Sequence, residues 1–154
     1  MRTPVELYTV IERPAMLIRD ALFSVMPTIQ AGKPPYDSLG LAVSYRDVRI
    51  DLEGRLQVPI DVDARPRRLR WECDLTIEAQ HGKRLFPRFT GTLSVMPSTN
   101  NTSELWLQGY YEVPFGTPGE LFDAHVAPGA ARQSLQHFVD WLGDELTRAA
   151  SISA

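Results

Sequence analysis

The chain has 154 residues, of which 44% are hydrophobic and 23% charged, and its formal net charge is -3. That is the length of one domain, 1–154, able to bury roughly two-thirds of its unfolded surface without a staple. The acidic balance argues against a nucleic-acid binder, and the single cysteine, Cys73, excludes an intrachain disulfide.

The densest basic run, Arg65 to Arg70, is followed at once by Glu72 and Asp74 and reads as the solvated start of a strand. Glu6, Glu12 and Arg13 interrupt the N-terminal apolar residues, so a signal peptide is not expected. No window approaches 18 uninterrupted apolar residues, so no membrane-spanning helix is expected. With an unpaired cysteine, these features predict a cytoplasmic protein. The overlapping sequons Asn100-Asn101-Thr102 and Asn101-Thr102-Ser103 read as turn residues.

In chain order, Val5 to Ile11 is β-prone and partly alternating, which predicts a first strand. Pro14 suits the first turn of a helix, and Leu17, Ile18, Ala21, Leu22 and Val25 recur at helical spacing until Pro27 closes it or starts a second short one. Gln30 to Gly40 reads as a loop. From Ala42 the period switches to two. Val48, Ile50 and Leu52 share a face, Glu53-Gly54 turns, and Val58, Ile60 and Val62 continue as a second strand before a break at Asp63 to Pro66. Leu69, Trp71, Cys73, Leu75 and Ile77 then face one way, with charged and hydroxyl residues opposite. His81-Gly82-Lys83 turns this strand. Phe89, Gly91, Leu93 and Val95 line the next, and Pro97 to Asn101 turns again. Leu105, Leu107, Gly109, Tyr111 and Val113 line the last strand.

A long amphipathic helix closes the order, with Leu135, Phe138, Val139, Leu142 and Leu146 on one stripe. The predicted architecture is therefore α+β. A curved antiparallel sheet of about six strands has one dry face, covered by the C-terminal helix, and a short helical segment follows strand 1. Gly91 and Gly109 lie on the inward face of neighbouring strands. They permit strong curvature or close backbone approach, or else make room for a bulky helix residue such as Phe122 or Phe138.

The order of elements and the text of the last third resemble the helix-grip proteins of the START-like (SRPBCC) superfamily, which includes polyketide cyclase/dehydrase-like proteins. The likeness is nearest a bacterial subgroup of unassigned activity. It is carried by Leu105, Leu107, Gly109, Tyr111, Pro114, Gly116, Gly119 and Asp123, about 20 residues by motif and nearly the whole chain by topology. Pro128-Gly129 departs from the family's continuous terminal helix and predicts two pieces, 119–127 and 130–148. The resemblance implies a cavity between sheet and helix that holds lipid-, sterol- or polyketide-like molecules, with chemistry in a few members. It implies no shared catalytic constellation.

The residues themselves give little catalytic signal. His81, His125 and His137 lack the i, i+4 pairing of a helical metal site. Cys73 points with the apolar set. Gly-x-Ser-x-Gly is absent, and Gly116-Thr117-Pro118-Gly119 lacks the lysine of a phosphate loop. No cofactor and no metal are expected. Asp123 and His125 could form an acid–base pair, but positions i and i+2 on a helix point about 200° apart. Asp123 serves equally as an anchor for the preceding turn.

The predicted ligand-binding set is Trp71, Leu75, Phe89, Leu107, Tyr111, Phe122, Asp123, His125 and Val126, with Tyr111 or His125 orienting a polar end. The expected partner is a small apolar ligand, with neither nucleic acid nor a membrane span. Two alternatives stay open. One is a cyclase/dehydratase-type enzyme acting in the same cavity. The other is a protein-interaction module with a vestigial or filled cavity, a homodimer among its forms, that uses the terminal helix or the outer sheet face, where Trp106 and Tyr110 point outward with Phe86 and Met96.

Overall fold

The computed structural model describes residues 2–30, 38–42, 55–67, 72–79, 88–112 and 130–153. Strand β1 is Arg2–Ile11, helix α1 Ala15–Gln30, β2 Ser38–Ala42, β3 Arg55–Arg67, β4 Glu72–Ala79, β5 Arg88–Pro97, β6 Ser103–Glu112, and helix α2 Ala130–Ser153. The strands form one antiparallel sheet in the order β1-β6-β5-β4-β3-β2. Five of them make a continuous ladder. β2 pairs only with the first part of β3, from Arg55 to Pro59.

The period-two pattern sets the inner face. Its rows cross the sheet: Leu7–Leu107–Leu93–Cys73, then Val5–Gly109–Gly91–Leu75–Ala64, then Thr3–Tyr111–Phe89–Ile77–Val62. Alternation puts every second residue on one side, so a single buried face fixes the register of all five strands. The predicted stripe on α2 meets this face. Leu135, Phe138, Val139, Leu142 and Leu146 are buried with Leu75, Leu93 and Leu107 in one cluster, and Ile18, Leu22 and Met26 of α1 join it.

α2 runs along β1. Its Gln136 side-chain amide donates to the Tyr8 carbonyl at 3.2 Å, and a methyl-sized group on Gly143 would stand 2.9 Å from Thr9 Cγ2. β1 is a sheet edge, which would otherwise offer bare carbonyls and N–H groups to another chain. Gln136 covers one of them. Pro4 removes an N–H at a position where proline is tolerated only on an edge.

Several expectations are corrected. Helix α1 continues through Pro27 to Gln30, although proline brings no N–H to the ladder. Ser38 to Gly40, expected in a loop, begin β2. The expected break at Asp63 to Pro66 is strand, because β3 runs to Arg67 paired with β4. Beyond Pro59 the β2 ladder no longer flanks β3, so Pro66 lies where one side of the strand has no sheet partner among the described residues. Val58 is opposite Leu39, not a residue of the expected 48–52 strand. That strand lies outside the described residues, as do the expected turns at Glu53-Gly54 and His81 to Lys83, the helix piece 119–127 and the break at Pro128-Gly129.

The expected turn after Pro97 is present. Ser98 and Thr99 N–H groups donate to the Thr102 carbonyl at 3.1 and 3.2 Å. Thr99 Oγ1 accepts from the N–H groups of Asn101 and Thr102. A threonine hydroxyl that folds onto nearby backbone makes this hairpin self-contained.

Candidate functional site: the sheet–helix interior

Four of the nine predicted ligand-binding residues are described. Leu75, Phe89 and Leu107 are buried on three adjacent rows of the inner face, and Tyr111 is half-buried at the rim of the same cluster. Phe89 stands opposite Tyr111 on one side and Ile77 on the other. Trp71, Phe122, Asp123, His125 and Val126 lie outside the described residues.

The glycine pair decides the shape of this region. Gly91 and Gly109 are direct partners across β5 and β6. A Cβ on Gly109 would come within 2.1 Å of the Thr90 carbonyl oxygen and 2.5 Å of Gly91 Cα. A Cβ on Gly91 would come within 2.3 Å of the Gln108 carbonyl oxygen and 2.7 Å of Phe89 Cζ. Real Cβ atoms do not approach backbone so closely. Among the described residues, the nearest atoms belong to the neighbouring strand and to Phe89; Phe122 lies outside the described residues. Of the two readings of the inward glycines, close backbone approach with sheet curvature is the one the geometry supports.

Where the Ser98–Thr102 turn joins β5 to β6, Ile11, Val95 and Leu105 are buried, and α1 closes that end. The Arg19 guanidinium donates to the Val95 carbonyl, with Nη2 at 3.2 Å. Further along the strands lies the Thr3–Tyr111–Phe89–Ile77–Val62 row, in which Phe89, Ile77 and Val62 are buried and Thr3 and Tyr111 half-buried.

Polar chemistry in the described interior is sparse. Ser103 Oγ is fully buried without a hydrogen-bond partner, a feature that alternation alone did not signal. The Cys73 thiol is pushed up to about 11 by burial, with Asp74's negative charge adding to the effect. A thiol held protonated is a poor nucleophile, in line with the packing role read from its apolar neighbours. Among the described residues, no group of three His, Cys, Asp or Glu side chains could hold a metal ion. His137 is exposed on α2. Among the described helices, none is long and apolar enough to cross a membrane.

The outer face carries the expected aromatics. Tyr8 stacks on Trp106 with ring centroids 4.8 Å apart and planes 22° off parallel. They are cross-strand partners, where side chains approach closely enough to stack. Tyr8, Val10, Met96 and Tyr110 are each about half exposed. Phe86, expected beside them, lies outside the described residues.

No family profile matches the chain, and no curated protein does. Solved structures match its shape. The Zhui aromatase/cyclase from a Streptomyces species shares 12% identity at a TM-score of 0.53, over 97% of this chain and 92% of its own. Ara h 8.0201 shares 11% at 0.54 over 100% of both chains. A norcoclaurine synthase from Thalictrum flavum shares 8% at 0.53, over 99% of this chain and 96% of its own. Likeness at such identity establishes the fold alone, which is the helix-grip fold expected from the order of elements and the last third of the sequence.

Proposed function

We propose that this helix-grip chain holds a small apolar molecule between the bent sheet and α2. The observation that carries the reading is the apolar inner face, with Leu75, Phe89 and Leu107 among its buried residues and the half-buried Tyr111 phenol packed against them. Leu75, Phe89, Leu107 and Tyr111 would line the site on the sheet side, with Trp71, Phe122, Asp123, His125 and Val126 completing it. Tyr111 or His125 would orient the guest's polar end. Burial supplies the affinity. Removing about 300 Å² of apolar guest surface from water is worth about 7.5 kcal/mol before the cost of association is subtracted.

Native mass spectrometry of the protein taken from cells tests this directly, with an apolar guest expected in the spectrum. A matched titration with a fluorescent apolar probe should give saturable binding that weakens in Phe89→Ala. An empty protein that binds no probe refutes the reading. A cyclase/dehydratase role would need Asp123 or His125 as acid–base group. The unpaired, buried Cys73 accords with a reducing compartment such as the cytoplasm.

The outer-face homodimer has its own supporting observation, the cluster of exposed Tyr8, Val10 and Met96 around Trp106. Light scattering across a dilution series tests it. A dimer that Trp106→Ser abolishes supports that interface, and a monomer at every concentration refutes it.

A further inference from the structure

The rows that turn away from the core carry a different chemistry. Glu6, Gln108, Thr92, Asp74 and Arg65 stand side by side across the sheet, and Pro4, Tyr110, Thr90, Thr76 and Asp63 form the next row. Two hollows of about 550 and 520 Å³ lie over these rows. They share Gln108, Gly109 and Tyr110, so they flank one stretch of β6 from its two sides. The first reaches towards β3 and the second towards β1 and Arg132 of α2. Taken together, the two hollows form a trough divided at β6 that spans five strands, about 19 Å at the usual strand spacing.

The charges in the trough cancel. Three carboxylates, on Glu6, Asp63 and Asp74, meet three guanidiniums, on Arg65, Arg88 and Arg132. Most already have partners. Asp63 pairs with Arg65 at 3.4 Å, Asp74 with Arg67 at 2.5 Å, and Arg88 reaches Glu78 at 3.9 Å. Such a surface has no net field to draw in a polyanion or a polycation. It does present donors and acceptors in alternation. The hydroxyls of Thr76, Thr90 and Thr92 each do both. Thr92 donates to Asp74 at 3.4 Å, and Gln108 donates to Glu6 at 3.0 Å while its carbonyl oxygen can still accept. Between the hollows stands the Tyr110 ring, half exposed. The Arg2 guanidinium, held by Glu112, stands over one face of that ring, 6.0 Å from its centre, which leaves the opposite face for a ligand.

We propose that this trough binds a neutral, polyhydroxylated chain, an oligosaccharide, laid across the strands with one ring against Tyr110. Each sugar hydroxyl is a donor and an acceptor at once, which is what paired carboxylates, guanidiniums and threonines can match without a charged partner. The C–H face of a sugar ring gives Tyr110 an apolar surface to cover. The length of the trough suits a chain of several rings. The site faces away from the core, so it can stand or fall independently of the interior guest.

The test is amide NMR of the full chain with tetra- to hexasaccharides of glucan, xylan and chitin type, each raised to about 1 mM, where the weakest specific complexes are half formed. A sulfated oligosaccharide and spermine serve as charged comparators. The expected result is saturable shifts at Thr76, Thr90, Thr92, Gln108 and Tyr110 with at least one neutral chain. Tyr110→Ala should weaken that binding about tenfold, the scale of one lost ring contact, and Thr92→Val should weaken it less. Met16→Ser, at an exposed position of α1 outside the trough, should leave affinity unchanged. Three results overturn the proposal: no neutral chain shifts these residues, Tyr110→Ala binds as tightly as the parent, or a charged comparator binds the trough more tightly than every neutral chain.

Discussion

Gly109→Ala is the sharpest test of the bent sheet. An alanine in a strand ordinarily gains roughly 0.5–1 kcal/mol over glycine through backbone entropy. Here the new methyl would sit 2.1 Å from the Thr90 carbonyl oxygen and 2.5 Å from Gly91 Cα. Both are backbone atoms of the paired strand, and neither can rotate away. Relief requires β5 and β6 to part at their central row, which opens ladder bonds and disturbs the buried Phe89 and Leu107 on the adjoining rows. Overpacking typically costs 1–3 kcal/mol, and a backbone obstacle places this site at the upper end. The net expectation is a loss of about 2 kcal/mol, or about 4–8 °C in Tm for a chain of this length. Urea unfolding should show a lower midpoint with an unchanged slope. Gly143→Ala is the internal control. Its methyl would crowd the Thr9 side-chain methyl at 2.9 Å and meet Ile11 Cγ1 and Cδ1 at ordinary contact distances of 3.7 and 3.9 Å, and alanine gains about 1 kcal/mol of helix propensity. The change should be near neutral in the parent and stabilising by about 1 kcal/mol in a Thr9→Ala background. A Gly109→Ala protein as stable as the parent would refute the claim that this pair sets the curvature.

Leu142→Ala, at a fully buried position of α2, should cost about 2–5 kcal/mol in calorimetry through lost transfer energy and the cavity left behind. Ser103→Ala should be neutral or stabilising by about 1 kcal/mol, because it deletes a buried hydroxyl without a partner. A clear loss of stability would instead reveal a bound water or partner at that hydroxyl. The Cys73 thiol should resist thiol reagents at pH 8 until the protein is unfolded. Its pKa is raised from 9.0 to about 11, so the unfolded chain gives up the proton first. Stability from this group is intact below pH 9 and falls as pH rises from 9 to 11, by about 2–3 kcal/mol at most. Cys73→Ala should flatten that fall.

The inner face was legible because one physical cause, burial of every second residue, writes itself into every strand. Cys73, Leu75, Phe89, Leu93, Leu105 and Leu107 all turn inward as alternation predicts, and the stripe from Leu135 to Leu146 meets them. Proline misled the boundaries. Pro27 and Pro66 read as stops, yet a helix and a one-sided strand absorb them, because surrounding pairing outweighs a single lost N–H. β2 was misplaced for a related reason. Ser38 to Ala42 has a glycine at its centre and too few alternating residues to announce a strand, so its partner on β3 could be found only from the fold. The candidate site divides likewise. Leu75, Phe89 and Leu107 follow from period two, whereas the orphaned Ser103 hydroxyl and the cancelling charges on the outer face depend on which strands become neighbours.

Gly91 and Gly109 connect the two binding readings. On the inner side the pair lets β5 and β6 close around α2 beneath Phe89 and Leu107. On the outer side the same stretch presents Thr90, Thr92, Gln108 and Tyr110 to the trough. A change at Gly109 must therefore disturb both faces, while Tyr110→Ala should leave the interior guest in place and Phe89→Ala should leave the trough intact. If the two single-face variants each impaired both kinds of binding, the sheet would not be the rigid partition that its paired glycines imply. The inner and outer sites would then be two aspects of one deformable structure.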